Sequence, residues 1–146
     1  SPTTEAIAQI RGLGNRAWAV GSSGLVLEWS GTTWTRAPVT MSNGLTSVLP
    51  LGPSLTWVAG GNGAFATWDG SRWQTLSIGD VTAMGMWGTR TDWVWSVGPA
   101  GELQFFDGVF PSKKTAPTTN FLRDVHGASE HEVWAVGFWG TILRYR

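Results

Sequence analysis

The stretch "RAWAVGSSGLVLEWSGTTW" (residues 16–34) sets three tryptophans among glycines, with one acid and no histidine, cysteine or lysine. Its wording returns three times. "WAVGSSG" at 18–24 is followed by "WVAGGNG" at 57–63, "WSVGPAG" at 95–101 and "WAVGFWG" at 134–140. The leading tryptophans Trp18, Trp57, Trp95 and Trp134 stand 39, 38 and 39 residues apart, and so do Gly24, Gly63, Gly101 and Gly140. A period of this size marks a stacked repeat and has to be read before any local element.

The register extends in both directions from the tryptophans. Downstream, "LEWSGTTW", "ATWDGSRW" and "QFFDGVF" place Trp29, Trp68, Phe106 and finally Tyr145 at one equivalent position. Upstream, each unit carries an apolar pair three apart: Ile7 and Ile10, Leu45 and Val48, Val81 and Met84, Leu122 and Val125. Each unit therefore reads as four short segments, A ("LTSV"), B ("LTWVAG"), C ("AFATW") and D ("RWQTLS"). They are too short for helices, rich in Val, Trp, Phe and Thr, and punctuated by Gly-containing turns, which predicts hairpin-connected strands. Strand B sends Trp18 and Val20 to one side and Ala17 and Ala19 to the other, so both faces are largely apolar. A solvated antiparallel sheet would alternate polar residues, so these sheets are expected to be covered on both faces by neighbours.

Units of about 38 residues that stack on both faces are β-propeller blades. The expectation is an all-β, single-domain chain with blades near 5–44, 45–80, 81–121 and 122–146. Trp18, Trp57, Trp95 and Trp134 are then structural wedges between blades, and Trp34 is an anchor just past a turn. The fourth unit stops at "GTILRYR" without a D strand, which suggests a partial propeller closed by association. Two copies making an eight-bladed ring is the simplest form, with residues 1–6 of one chain completing the last blade of the other. The competing account is a fragment of a longer chain whose further blades close the ring.

"ATWDGSRW" resembles a shortened Asp-box, the turn between the third and fourth strands in bacterial BNR-type propellers, and Trp68 and Asp69 are distantly similar to the dipeptide that closes WD40 repeats. "VWAVG" and "GTILRY" are similar to Trp-rich repeats of bacterial surface propellers. The resemblance implies a scaffold, with a secreted or cell-surface setting favoured, and no particular activity.

Composition narrows the partners. Ten basic and ten acidic residues cancel, so the chain lacks the positive field that nucleic acid demands. Charged residues are 14% of the chain against about 25% in ordinary domains, consistent with surface covered by another chain. The absence of cysteine excludes disulfides and thiolate chemistry. No apolar run approaches the roughly 18 residues of a membrane span, and "SPTTEAIAQI" does not read as a signal peptide.

Catalytic patterns are missing. His126 and His131 fall in "DVHGASEHEVW", with Asp124, Glu130 and Glu132 nearby, but the spacing fits no zinc motif and they are read as structural or solvent-exposed. Glu28, Asp69, Glu102 and Asp107 are dispersed by the repeat, and the one tyrosine, Tyr145, occupies a core aromatic position. "GSSG" and "GGNG" read as hairpin turns rather than a nucleophile elbow or a phosphate loop. No cofactor or metal is expected.

What remains are aromatics that break the repeat. Phe138 and Trp139 occupy the B to C turn where other units have Ser22 and Ser23, Gly61 and Asn62, or Pro99 and Ala100, while Trp87 and Trp93 flank an A to B loop. With Asn62, Ser23 or Asp80 as hydrogen-bonding groups on the same rim, Phe138 and Trp139 form a candidate site for a glycan or a protein. The other reading places the pair at a seam between chains. The functional expectation is a non-enzymatic binding module acting as an oligomer, and the alternative is an assembly scaffold without a small-molecule ligand.

Overall fold

The computed structural model describes residues 3–108 and 111–146. Ser1 and Pro2, and Val109 and Phe110 of the third C to D connection, lie outside the described residues. The chain divides into two compact units, Ser1–Val81 and Thr82–Arg146.

In the first unit, β1 (Ile7–Leu13), β2 (Arg16–Gly21), β3 (Val26–Trp29) and β4 (Trp34–Arg36) form one sheet in sequence order. A second sheet is built the same way from β5 (Leu45–Gly52), β6 (Leu55–Gly60), β7 (Ala64–Trp68) and β8 (Trp73–Ser77). In the second unit, β9 (Gly85–Arg90), β10 (Trp93–Val97), β11 (Leu103–Phe106) and β12 (Pro111–Lys114) make the third sheet. β13 (Leu122–Ser129), β14 (Glu132–Gly137) and β15 (Ile142–Tyr145) make a fourth, with β15 at its edge. All pairings are antiparallel between chain neighbours, the meander that short hairpin turns dictate.

Within each unit the two sheets share a core. Trp18, Val20 and Val26 of the first sheet pack on Leu45, Val48, Val58, Ala64 and Ala66 of the second. Trp87, Trp95 and Val97 pack on Leu122, Val125, Val133 and Ala135. Indoles lie against small and branched residues, which fills the space between sheets at interior density. Polar groups tie the layers together as well. The Gln9 side-chain oxygen on β1 accepts from Val48 N at 2.8 Å on β5, and Trp73 Nε1 on β8 donates to Glu28 Oε1 on β3 at 2.8 Å. Ring pairs are close, with Trp29–Trp34 at 5.5 Å and Trp68–Trp73 at 5.8 Å across the C to D turns. Trp93 in the second unit lies 5.8 Å from Trp87 and 6.0 Å from Trp95.

Several expectations need adjusting. The apolar pair of the third unit is Ala83 and Met86, both buried, rather than Val81 and Met84, which are only half-buried. His126 and Trp87 lie within the A strands, which run on to Ser129 and Arg90 and leave two-residue turns, so Trp93 but not Trp87 directly flanks its A to B turn. Of the residues 1–6 expected to complete another chain's last blade, residues 3–6 are outside any strand and Glu5 and Ala6 are hydrogen-bonded to their own first sheet and its B to C turn, while Ser1 and Pro2 lie outside the described residues. Arg36 Nη1 donates to Glu5 Oε2 at 2.7 Å, Ser22 N donates to Ala6 O at 2.9 Å, and Ala6 N donates to Ser22 Oγ at 3.2 Å. Trp18, Trp57 and Trp95 are buried, but Trp134 is 39% exposed, because the face it shares with Val136 and Ile142 is turned away from the third sheet.

Candidate functional site

Each B strand ends in a tight turn whose second residue adopts a positive φ: Ser23 at 55°, Asn62 at 53°, Ala100 at 53° and Trp139 at 58°. The glycine after it is also left-handed, so the chain reverses in two residues. Backbone hydrogen bonds fix the turn. In the last unit Gly137 N donates to Thr141 O and Phe138 N to Phe121 O, both at 2.9 Å. Thr141 Oγ1 donates to Phe138 O at 2.8 Å, and Asn120 Nδ2 donates to Thr141 Oγ1 at 2.8 Å. Phe138 stacks on Phe121 with centroids 4.9 Å apart and planes 19° from parallel. Trp139, at the tip of this braced turn, is 89% exposed.

A bulky side chain in the left-handed region is uncommon and carries strain. Asn tolerates that conformation better, which accounts for Asn62 at the same place. At Trp139 the sequence accepts the strain and presents an indole to solvent.

In the first unit, Ser23, Asn62 and Asp80 are exposed. Asn62 borders a cavity of about 460 Å³ that it shares with Thr40, Met41, Asn43 and Leu76. Ser23 lies one residue before Gly24, whose α-carbon faces the Met41 carbonyl, and Asp80 follows Gly79, whose carbonyl faces Gly63. These three polar residues therefore sit where B to C turns meet D to A connectors. Phe138 and Trp139 occupy the same kind of turn in the second unit. Phe121 and Asn120 were not foreseen as supports. Their signal was a phenylalanine at a position held elsewhere by Ala6, Gly44 and Thr82.

The acids are engaged in holding turns and strands. Asp69 Oδ1 accepts from Ser71 Oγ at 2.7 Å, Ser71 N at 2.9 Å and Arg72 N at 3.0 Å, and Oδ2 accepts from Gln74 Nε2 at 2.9 Å. The Ser71 hydroxyl, then these backbone amides, hold its carboxyl well below the usual range. Glu5 is lowered first by the Thr3 hydroxyl and then by Arg36. Glu28 lies 3.6 Å from Arg16, and Arg90 bridges Asp92 and Glu130, each at 2.6 Å. His126 lies beside the Trp87 ring at 5.7 Å. No three His, Asp or Glu side chains gather as a metal site among the described residues. No helix there is long and apolar enough to cross a membrane.

No protein-family model matches the sequence, and no curated protein matches it significantly. Solved structures do match. YCF48 from Cyanidioschyzon merolae superposes with a TM-score of 0.79 at 13% identity, over 98% of this chain and 51% of that one. YCF48 bound to D1 peptide gives 0.68 at 16% identity, over 96% and 48%. The crystal structure of the computationally designed Ika4 protein gives 0.75 at 14%, over 98% and 92%. The chain thus spans about half the length of the YCF48 chains it matches. At these identities the likeness concerns fold alone, and the four antiparallel sheets are blades of a β-propeller fold.

Proposed function

We propose that this chain is a non-enzymatic binding module whose ligand is a protein, engaged through the B to C turn that carries Phe138 and Trp139. The observation that carries this reading is Trp139 itself, an indole held at positive φ on a braced turn and 89% exposed. Rigid aromatic anchors supply much of the energy of protein recognition. A structural neighbour bound to a peptide supports a protein ligand over a glycan. Peptide and glycan arrays probed in parallel with the chain and its Trp139→Ala variant test it. Peptide signals that the variant loses are expected; signals confined to glycans, or peptide signals equal for both proteins, reject the reading.

A second observation favours association of copies. Ile7 and Ile10 of β1 are 51% and 57% exposed, whereas their counterparts Leu45 and Val48 are buried between sheets. Trp134, Val136 and Ile142 form the matching exposed face in the other unit. Laying one face on the other in a second copy repeats the packing already present inside each unit, most simply as a dimer. The Asp69 turn, stapled between third and fourth strands, also supports kinship with Asp-box propellers.

A further inference from the structure

We propose that Asn43 is a self-modification site, where the backbone nitrogen of Gly44 attacks the Asn43 side chain and converts it, through a cyclic imide, to aspartate and isoaspartate. The reaction asks three things of the chain: an asparagine, a following residue with no side chain to block the approach, and a backbone N–H that is not already engaged. Cyclisation starts with loss of the amide proton. An N–H held by an acceptor is therefore a poor nucleophile, and its peptide unit cannot swing toward the side chain.

The sequence contains two Asn-Gly pairs, Asn43 with Gly44 between β4 and β5, and Asn62 with Gly63 in the turn between β6 and β7. Asn43 and Asn62 border the same cavity of about 460 Å³, yet their backbones are held differently. Gly63 is buried, its N–H donates to Val81 O at 2.6 Å, and Asn62 is fixed in the left-handed region at 53°. The Gly63 α-carbon is also packed against the Gly79 carbonyl, so this peptide unit has no room to turn. Gly44 is exposed and its N–H meets no acceptor among the described residues; only its carbonyl is engaged, accepting from Gly61 N at 3.2 Å. The Asn43 carboxamide makes no hydrogen bond among the described residues either. The more exposed asparagine is thus the locked one.

The repeat explains the difference. Gly44 holds the place of Ala6 in the first sheet and of Thr82 in the third. Ala6 N donates to Ser22 Oγ at 3.2 Å, and Thr82 N donates to Glu102 Oε2 at 3.4 Å. The residue 39 positions after Ser22 is Gly61, which has no hydroxyl to offer, so the second sheet lacks this cap. In the fourth sheet Asn120 stands where Asn43 does, but the next residue is the bulky Phe121 and the Asn120 carboxamide is tied to Thr141 Oγ1 at 2.8 Å.

The chemistry needs water and nothing else. Gly44 N bonds to Asn43 Cγ, the Cγ–Nδ2 bond breaks, and ammonia leaves with the proton that Gly44 N gave up. Water then opens the five-membered ring at either carbonyl, returning a proton to Gly44 N and leaving a carboxylate whose own proton goes to the ammonia. Opening at one carbonyl gives aspartate; opening at the other gives isoaspartate, with the backbone routed through the former side chain. Either product puts a negative charge on the cavity wall of a chain whose formal charges cancel. Isoaspartate also adds a backbone carbon just ahead of β5, whose Leu45 and Val48 lie in the core.

Peptide mapping of the folded 146-residue chain, held in mildly alkaline buffer, follows each asparagine by its mass gain of about one dalton. Asn43 is expected to convert about tenfold faster than Asn62 or Asn120, or more, because those two must first break a hydrogen bond. Unfolding in urea is expected to bring Asn62 to the rate of Asn43. Gly61→Ser, at a position with open space around an added side chain, rebuilds the Ser22 cap and is expected to slow Asn43 about threefold, the worth of one exposed hydrogen bond, with the unfolding midpoint unchanged. Gly44→Ala, where an added methyl meets only the Ser22 α-carbon at 4.0 Å, is expected to slow it further by blocking the approach. No conversion at Asn43, equal rates at Asn43 and Asn62 in the folded chain, faster loss at Asn62, or a Gly61→Ser variant that converts as fast as its parent overturns the proposal.

Discussion

Gly63 and Gly140 hold the same place in two units, both left-handed near 70°, yet their surroundings differ. A methyl on Gly63 would overlap the Gly79 carbonyl, whereas nothing lies near Gly140. Gly140→Ala therefore costs only the conformational penalty, about 1 kcal/mol, while Gly63→Ala adds overpacking and is expected to cost about 2–4 kcal/mol; urea unfolding of the two variants measures the difference. Asp69 gives a pH prediction. Its folded-state pKa is depressed from the ordinary 3.8, so its stabilisation is present above that value and is lost as pH falls below it. Asp69→Ala should flatten the acid limb of the unfolding midpoint below about pH 4. Asp69→Ser should destabilise less than Asp69→Ala at pH 7, because Ser30 holds the equivalent turn in the first unit, its hydroxyl accepting from Thr33 N at 3.4 Å. Trp139→Asn, matching Asn62, should raise stability by about 1 kcal/mol by relieving backbone strain while abolishing the peptide signals of the parent, a trade typical of functional positions.

At the scale of elements, a strand's fate depends on what its outward face meets. Trp18 and Trp134 occupy the same place on β2 and β14, one buried between sheets and the other on a free face with Arg144 4.8 Å over its ring. Trp18→Ala is expected to cost about 3–5 kcal/mol by leaving a cavity, and Trp134→Ala about 1 kcal/mol in the isolated chain; thermal unfolding at low protein concentration compares them. The same contrast explains what the sequence could reveal. Strands β2, β6, β10 and β14 were legible because Trp and Gly recur at fixed intervals. The third A strand was misplaced because Val81 and Met84 imitate the apolar pair locally, while the true residues, Ala83 and Met86, include a small alanine. Period alone identifies them, since Leu45, Ala83 and Leu122 are 38 and 39 residues apart. Trp139 was legible as a departure from the repeat.

For the molecule as a whole, the feature that governs behaviour in water is the pair of apolar faces left at β1 and at β14 and β15. Exposed apolar patches of this kind promote association, and the low charge of the chain does little to oppose it. Native mass spectrometry is expected to show a dimer growing in over micromolar concentrations, and Ile142→Asp to return the chain to monomer with its unfolding transition intact. A monomer at every concentration would leave these faces to another partner.

The clustered indoles carry an optical consequence. Transition dipoles held 5.5 to 6.0 Å apart at fixed tilts, as in Trp29 with Trp34, Trp68 with Trp73 and Trp93 with both Trp87 and Trp95, couple as excitons. The far-ultraviolet circular dichroism of this protein should therefore show a signed aromatic couplet near the indole absorption superimposed on the strand signal. Its loss on heating would report the separation of neighbouring rings directly, sheet by sheet, in tryptophan-to-phenylalanine variants of each pair.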